Sequence, residues 1–353
     1  MANLSSFFGG GSGGGLTEKM ADQTLDFLLT DPSVAEANTF FTELRNKNGL
    51  MLALLSAPHA TSLLEVGELT QSMANSEAAF AAIAASPAAT AAITEDTRVE
   101  AGKIIVATVA AMTALSANAR AMTDIAARAG SSFGDQFTAS VTAMNIIASS
   151  AVARNALFDS NVFWDYIYQR TMPLAKLALG AAGQPPASFS TVAGVAGSAS
   201  AMASVAASDE ALRFLFNATN SVGRTPLFNS AIAEKALRDT PSAMSWLNAN
   251  VRTNRSVSGE GGAFVAMTVG ARKAFMLEAT TGYNSQSSND RGASNFVHFQ
   301  DGVTAAIEIV PNSPYPGNPW PLPVGRMMDN PAIMSRSGSA TLYTRTAALV
   351  YMD

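Results

Sequence analysis

A ten-residue period runs through the middle of this chain and limits its folding options more than any other feature. From Ser76 and Ser86 the segments read Ser-Glu-Ala-Ala-Phe-Ala-Ala-Ile-Ala-Ala and Ser-Pro-Ala-Ala-Thr-Ala-Ala-Ile-Thr-Glu. The same frame opens at Ser140, Ser150 and Ser160, at Ser188, Ser198 and Ser208, and at Asn220, Ser230 and Thr240. Each opening residue is a good helix N-cap. Seven positions later stands an aliphatic residue every time: Ile83, Ile93, Ile147, Leu157, Ile167, Val195, Val205, Leu215, Leu227, Leu237 and Leu247. Four positions after the cap the residue is often large and apolar, as at Phe80, Met144, Trp164, Val192, Met202, Leu212 and Met244. Ala usually precedes it.

One continuous helix does not suit this period. Ten residues turn a helix through about 1000°, so each apolar pair would lie roughly 80° from its predecessor and no stripe would form. Pro87 and Pro241 directly follow their caps; Pro is tolerated there but damages a helix interior. The pattern predicts short capped helices joined by sharp corners. Helices below about 12–15 residues barely form alone in water, so their stability must come from packing against neighbouring units. Two stretches break the frame. Residues 96–139 read as a longer helix or two, Ile104 to Met112 and Ala119 to Ala129. Residues 171–187, with Gly180, Gly183 and Pro185-Pro186, read as a loop or domain seam.

The flanks differ in kind. Residues 9–15, Gly-Gly-Gly-Ser-Gly-Gly-Gly, are a flexible tether by composition, setting apart an apolar peptide with Leu4, Phe7 and Phe8 suited to docking into another protein. Residues 17–55 have helical spacing at Leu25, Leu28 and Leu29, then at Phe40, Phe41 and Leu44. Beyond about residue 255 the composition becomes β-like, with runs at 264–269, 273–279, 295–299, 305–310 and 341–346. A proline-rich loop at 311–323 holds Tyr315 and Trp320. The expected fold is α+β: an N-terminal all-α region of short repeated helices, then a C-terminal antiparallel β domain, sandwich-like. The expected division is 1–16 attachment peptide and tether, 17–55 helical segment, 56–255 helical repeat body and 256–353 β domain.

With Lys+Arg 22, Asp+Glu 27 and net charge −5, the chain lacks the basic surface that phosphate neutralisation needs, so nucleic acid is not an expected partner. The charged fraction of 14% is low against about 25% in ordinary domains, which points to surface hidden in partners or copies of itself. The absence of Cys excludes disulfides and thiolate sites. The N-terminus has no basic region of a secretory signal, and the apolar run Ile104 to Leu115 is shorter than the roughly 20 residues of a span, so membrane insertion is not expected. His59 and His298 stand apart, unlike zinc ligands. A triad using His298 and Asp301 lacks a nucleophile-elbow motif. Glu278, Asp290, Asp301 and Glu308 offer carboxylates for glycoside cleavage, but spacing alone does not set two of them across a cleft. No catalytic, cofactor-binding or metal residue is assigned, and a non-enzyme is expected. Tyr315 and Trp320 either stack on a surface glycan or cover the β core. Trp164 falls on a core position, while Tyr166 and Tyr168 are left for contact with another chain.

Repeats such as Ser-Ala-Ser-Ala-Met-Ala-Ser-Val-Ala-Ala-Ser at Ser198 to Ser208 resemble those of tailed-bacteriophage tail fibres and related virion proteins. The short N-terminal peptide before polyglycine is similar to virion-attachment ends, and Lys273-Ala274-Phe275-Met276-Leu277-Glu278 looks like their terminal β modules. The resemblance implies a structural virion component, often trimeric, assembled in the bacterial host cytoplasm. It implies anchoring through Leu4, Phe7 and Phe8 to other virion proteins and a distal domain able to contact a host-surface glycan or protein. A capsid-decorating or collar protein and a glycan-cleaving tail enzyme are the alternatives.

Overall fold

The computed structural model describes residues 67–95, 97–216 and 221–258, and beyond these 264–266, 273–281, 296–301, 305–309, 325–329, 331–336 and 344–351. The attachment peptide, the tether, the 17–55 segment, His59, Asp290, Tyr315 and Trp320 lie outside the described residues. The chain forms two compact units, one running to Ala181 and including Pro185–Ser188, the other comprising Ala182–Gln184 and everything from Phe189.

The first unit is entirely helical in its described part. Its helices are α1 (Gly67–Ala74), α2 (Glu77–Ala85), α3 (Pro87–Ile93), α4 (Val99–Ala107), α5 (Val109–Ser116), α6 (Ala119–Ala126), α7 (Ser132–Ala139), α8 (Val141–Ser149), α9 (Ala151–Phe158), α10 (Asn161–Ile167) and α11 (Thr171–Ala181). The repeat therefore continues through 96–139: the predicted helix Ile104 to Met112 is broken at Thr108, where α4 and α5 meet at 86°. Residues 171–181 are helix rather than loop, followed by the 3-10 turn Pro186–Ser188.

One extended residue makes many of the corners. Ser86, Ser140 and Ser150 each end one helix and begin the next, with φ between −102° and −77° and ψ between 115° and 117°. The backbone N–H of Ser150 donates back to the Ile147 carbonyl at 3.0 Å. Its hydroxyl accepts from the Ala153 N–H at 3.2 Å. Such caps satisfy donors a helix start leaves orphaned. The same bond is made by Ser76, Ser86, Ser140, Ser160, Ser198, Ser208 and Ser230. Thr240 occupies its cap position without a side-chain bond, with Pro241 next to it as predicted, and Pro87 likewise follows Ser86. Ser188 does not cap: it ends the 3-10 turn, and Thr191 takes the role for the next helix.

Burial follows the frame. All eleven aliphatic residues at the seventh position are fully buried. In most units positions 3, 4, 7 and 8 after the cap are all buried, as with Ala143, Met144, Ile147 and Ala148. These four make one wide face that must be covered on two sides. The cover is supplied by every third helix: α1 packs on α4 and α4 on α7; α2 on α5, α5 on α8 and α8 on α11; α3 on α6 and α6 on α9. Three helices thus make one coil, and each coil stacks on the one before.

The coil is 32 residues long rather than 30, as the stacked caps Thr108 and Ser140 or Asn118 and Ser150 show. Two corners, three helices apart, are long: Thr94–Arg98 separates α3 from α4, and Ala127–Ser131 separates α6 from α7. After the second long corner the cap is Ser131 and the buried set moves one residue closer to it, to Phe133, Gly134, Phe137 and Thr138. Close approach explains two glycines. A Cβ on Gly134 would stand 2.0 Å from the Ala129 carbonyl oxygen, and one on Gly180 of α11 would stand 1.8 Å from that of Ala148 in α8.

The second unit holds α12 (Val192–Ala196), α13 (Ala199–Ala206), α14 (Asp209–Phe216), α15 (Ser221–Phe228), α16 (Ala231–Asp239) and α17 (Pro241–Asn250). Here too α12 packs on α15, α13 on α16 and α14 on α17. Pro226 lies inside α15. The strands are β1 (Thr253–Ser258), β2 (Phe264–Ala266), β3 (Lys273–Thr281), β4 (Phe296–Asp301), β5 (Ala305–Ile309), β6 (Met327–Asp329), β7 (Ala332–Arg336) and β8 (Thr344–Tyr351). They form two antiparallel four-stranded sheets in the orders β1-β8-β3-β6 and β2-β7-β4-β5. A mostly helical chain followed by antiparallel sheet is thus the coarse architecture. Strands β1, β6 and β7 add to the β-like runs seen in the sequence.

Strand β3 packs against α15 and α17, and its Ala274, Phe275, Met276 and Leu277 are buried. The last coil carries a more polar face than the others. In α16 and α17 only positions 3 and 7 are buried, and Glu234 with Arg238 form an ion pair at 3.3 Å. Gly325, at φ 76°, lies under the Arg238 side chain, where a Cβ would come within 2.3 Å of its Cγ. The terminal coil is therefore closed by sheet and charge, where an inner coil presents an apolar surface.

Candidate functional site

The most regular chemistry in the described residues gathers at the corners. A helix that stops at a corner leaves carbonyls without intrahelical partners, and burial makes them costly. The last buried carbonyl of a helix, eight positions after the cap in most of these units, is where side chains converge, by two routes. Along the stack, Ser140 Oγ donates to Val106 O at 2.7 Å, Ser150 Oγ to Ser116 O at 2.7 Å and Ser230 Oγ to Ala196 O at 2.6 Å, each across 34 residues. These serines accept from their own helix and donate to the coil below. Arg120 and Arg128 reach Ala84 O and Thr94 O at 3.4 Å in the same sense.

Along the chain, the fourth position of one unit serves the helix before it. Arg154 Nη1 donates to Ala148 O at 2.7 Å, Arg224 Nη2 to Phe216 O at 2.6 Å and Trp164 Nε1 to Phe158 O at 3.0 Å. Arg154 and Arg224 are buried although charged. Their aliphatic stems fill the slot that Met or Leu fills elsewhere, and their heads meet carbonyl oxygens. A basic residue in a position that is more often apolar was the signal for this role.

The aromatic cluster of α10 is used internally. Phe158 and Trp164 have ring centroids 5.2 Å apart, and Trp164 is buried as its frame position predicts. Tyr166, expected to be left for another chain, lies under Arg170, whose guanidinium carbon is 4.3 Å from the ring centroid. Arg170 also bonds Tyr166 Oη at 2.5 Å and Asp135 of α7 at 2.7 Å. Tyr168 accepts from Gln169 at 2.6 Å.

Lys176 of α11 is the most unusual ionisable group. It is 1% exposed. Its Nζ donates to Asn145 Oδ1 at 2.7 Å and to Pro186 O at 3.1 Å, tying the 3-10 turn to α8 and α11. Among the described residues no carboxylate pairs with it. Burial pushes its pKa below the ordinary 10.5. A neutral amine still supplies both N–H bonds, so losing the proton relieves desolvation without breaking the tie. Between the folded and unfolded pKa values the unfolded chain binds more protons, so this group makes folding more favourable as pH rises toward 10.5. The stability of the native chain relative to Lys176→Met is therefore expected to increase over that window. Urea melts of both proteins at several pH values give the comparison, and a flat difference would count against the buried charge.

The carboxylates of the β region divide between the sheets: Glu278 lies on β3 of one, Asp301 and Glu308 on β4 and β5 of the other. His298 stands opposite Glu308 and Met334 in register. Among the described residues no group of three or more His, Asp or Glu stands together as a metal site would need. No helix among them is long and apolar enough to cross a membrane. No protein-family model matches this chain, and no curated protein matches it.

Proposed function

We propose that the protein is a structural component of a bacteriophage virion, a tail fibre or related appendage, acting without catalysis. The observation that carries this reading is the stacked coil, in which buried side-chain bonds such as Ser150 to Ser116 join each turn to the one before it. That organisation spends its polar chemistry on holding a fixed form, as a scaffold requires. In this reading Leu4, Phe7 and Phe8 anchor the chain to other virion proteins, residues 9–15 tether it and the coils form the body. The two sheets pack face to face as a sandwich that meets the host surface, with Tyr315 and Trp320 as its contact residues. The body assembles as a homotrimer, which accounts for a charged fraction of only 14%.

Removing residues 1–8 tests the anchor. The truncated protein should keep its circular dichroism spectrum and melting temperature yet be absent from purified particles. Undiminished incorporation would refute the assignment. Native mass spectrometry of the isolated protein should give a trimer, and a stable monomer that never joins particles would overturn the whole reading.

A further inference from the structure

We propose that the first unit sets its length in whole coils: it can lose or gain 32 residues and keep its fold, but not ten. The obvious repeat in the sequence is ten residues, which would make each decapeptide the exchangeable part. The structure points elsewhere. The three corners of a coil are not equivalent: a five-residue corner follows the third helix of the first two coils, at Thr94–Arg98 and at Ala127–Ser131, and the corner after α9, Asp159–Ser160, is short and closes the series. Only a shift of three helices brings long corner over long corner. The bonds between coils obey the same count. Ser140 and Ser150 each reach a carbonyl 34 residues back. Arg128 bonds Thr94 O across the same interval, within the long corners themselves.

Deleting residues 108–139 removes α5, α6, one long corner and α7, and joins Ala107 to Ser140. Ser140 then stands where Thr108 stood, at the same corner and with the same extended backbone (ψ 116° against 122°). Helix α8 then falls on α2 and α9 on α3, in the places that α5 and α6 held. Deleting residues 108–117 also restores a cap, since Asn118 follows Ala107, and it removes less than a third as much chain. It nevertheless moves every later helix round by one edge and leaves the long corner Ala127–Ser131 over a short one.

The full chain has no Cys, so Glu77→Cys and Gln169→Cys give unique sites for paired spin labels. Both positions are exposed. The 108–139 deletion should melt in one cooperative step, and the distance between labels should fall by about 8–10 Å, the spacing of packed helices. A tandem duplication of 108–139 should lengthen it by the same amount. The 108–117 deletion should melt at a lower temperature than the 108–139 deletion, over a broader range. One whole-coil variant that melts cooperatively with the expected distance change, together with the weaker short deletion, sustains the proposal. It is overturned if both whole-coil variants fail to melt cooperatively, if the distances do not move, or if the ten-residue deletion is as stable as the 32-residue one. The test needs no particle, so its outcome is independent of the virion reading.

Discussion

Ile147→Ala should lower the stability of the first unit by about 2–5 kcal/mol, the range for emptying a buried aliphatic site. Ile147 sits at the seventh position of its unit with no exposed surface, flanked by Met144 and Ala148 and enclosed by α5 on one side and α11 on the other. Neither neighbouring coil can collapse into the hole easily, because each is held by its own corner bonds. The control lies six residues earlier on the same helix. Val141 is 52% exposed, and Val141→Ala should change stability by no more than about 0.5 kcal/mol. Urea unfolding of both variants, read as midpoint and slope, makes the comparison. Equal losses would mean that the repeat face is not the core.

Ser150→Ala should cost about 2–4 kcal/mol, as should the equivalent changes at Ser140 and Ser230, which also bond both their own helix and the coil below. Losing the bond to Ala153 N–H costs about 1 kcal/mol, typical of an N-cap. Losing the donor to Ser116 O leaves a buried carbonyl unsatisfied, which adds about 1–3 kcal/mol. Ser160 accepts from Phe163 N–H at 3.2 Å in the same way, but its hydroxyl has no coil-to-coil bond among the described residues, which include Ala126 at the matching position 34 residues back. Ser160→Ala should therefore show the first cost alone. Thermal melts of the two variants separate the roles: similar shifts would show that the bond across 34 residues contributes nothing.

Much of the helical architecture can be read from residue types. A cap followed seven positions later by an aliphatic side chain located the buried face of α2, α3, α8, α9 and α10 and of most helices in the second unit. Proline after the cap revealed that the helices are short. Arrangement in space was harder to read. A ruler of ten residues loses phase at Thr94–Arg98 and again at Ala127–Ser131, so α4 to α7 looked like an interruption although α4 to α6 make one coil and α7 opens the next. Thr171–Ala181 escaped because Gly180 reads as a breaker in sequence but serves as a point of close helix contact in space. The corner chemistry was legible only in part. Ser and Asn advertise a bond to their own helix, whereas the second bond of Ser140 or Ser150 depends on which carbonyl stacks beneath it. Arg154 and Lys176 occupy positions where charge is unexpected, and only the neighbouring oxygens explain them.

The stacking interval has a consequence for how the chain reaches its fold. Side-chain bonds that link successive coils of the first unit span only 30 to 37 residues. No step in building that stack needs two distant parts of the chain to find each other. Loop-closure entropy stays small and nearly equal for every coil, and such low contact order favours fast folding. A chain emerging from the ribosome has everything a new coil needs once its third helix is out, because the template it docks on is already made. Synthesis and folding of the helical stack can therefore run at the same pace, one coil behind the other.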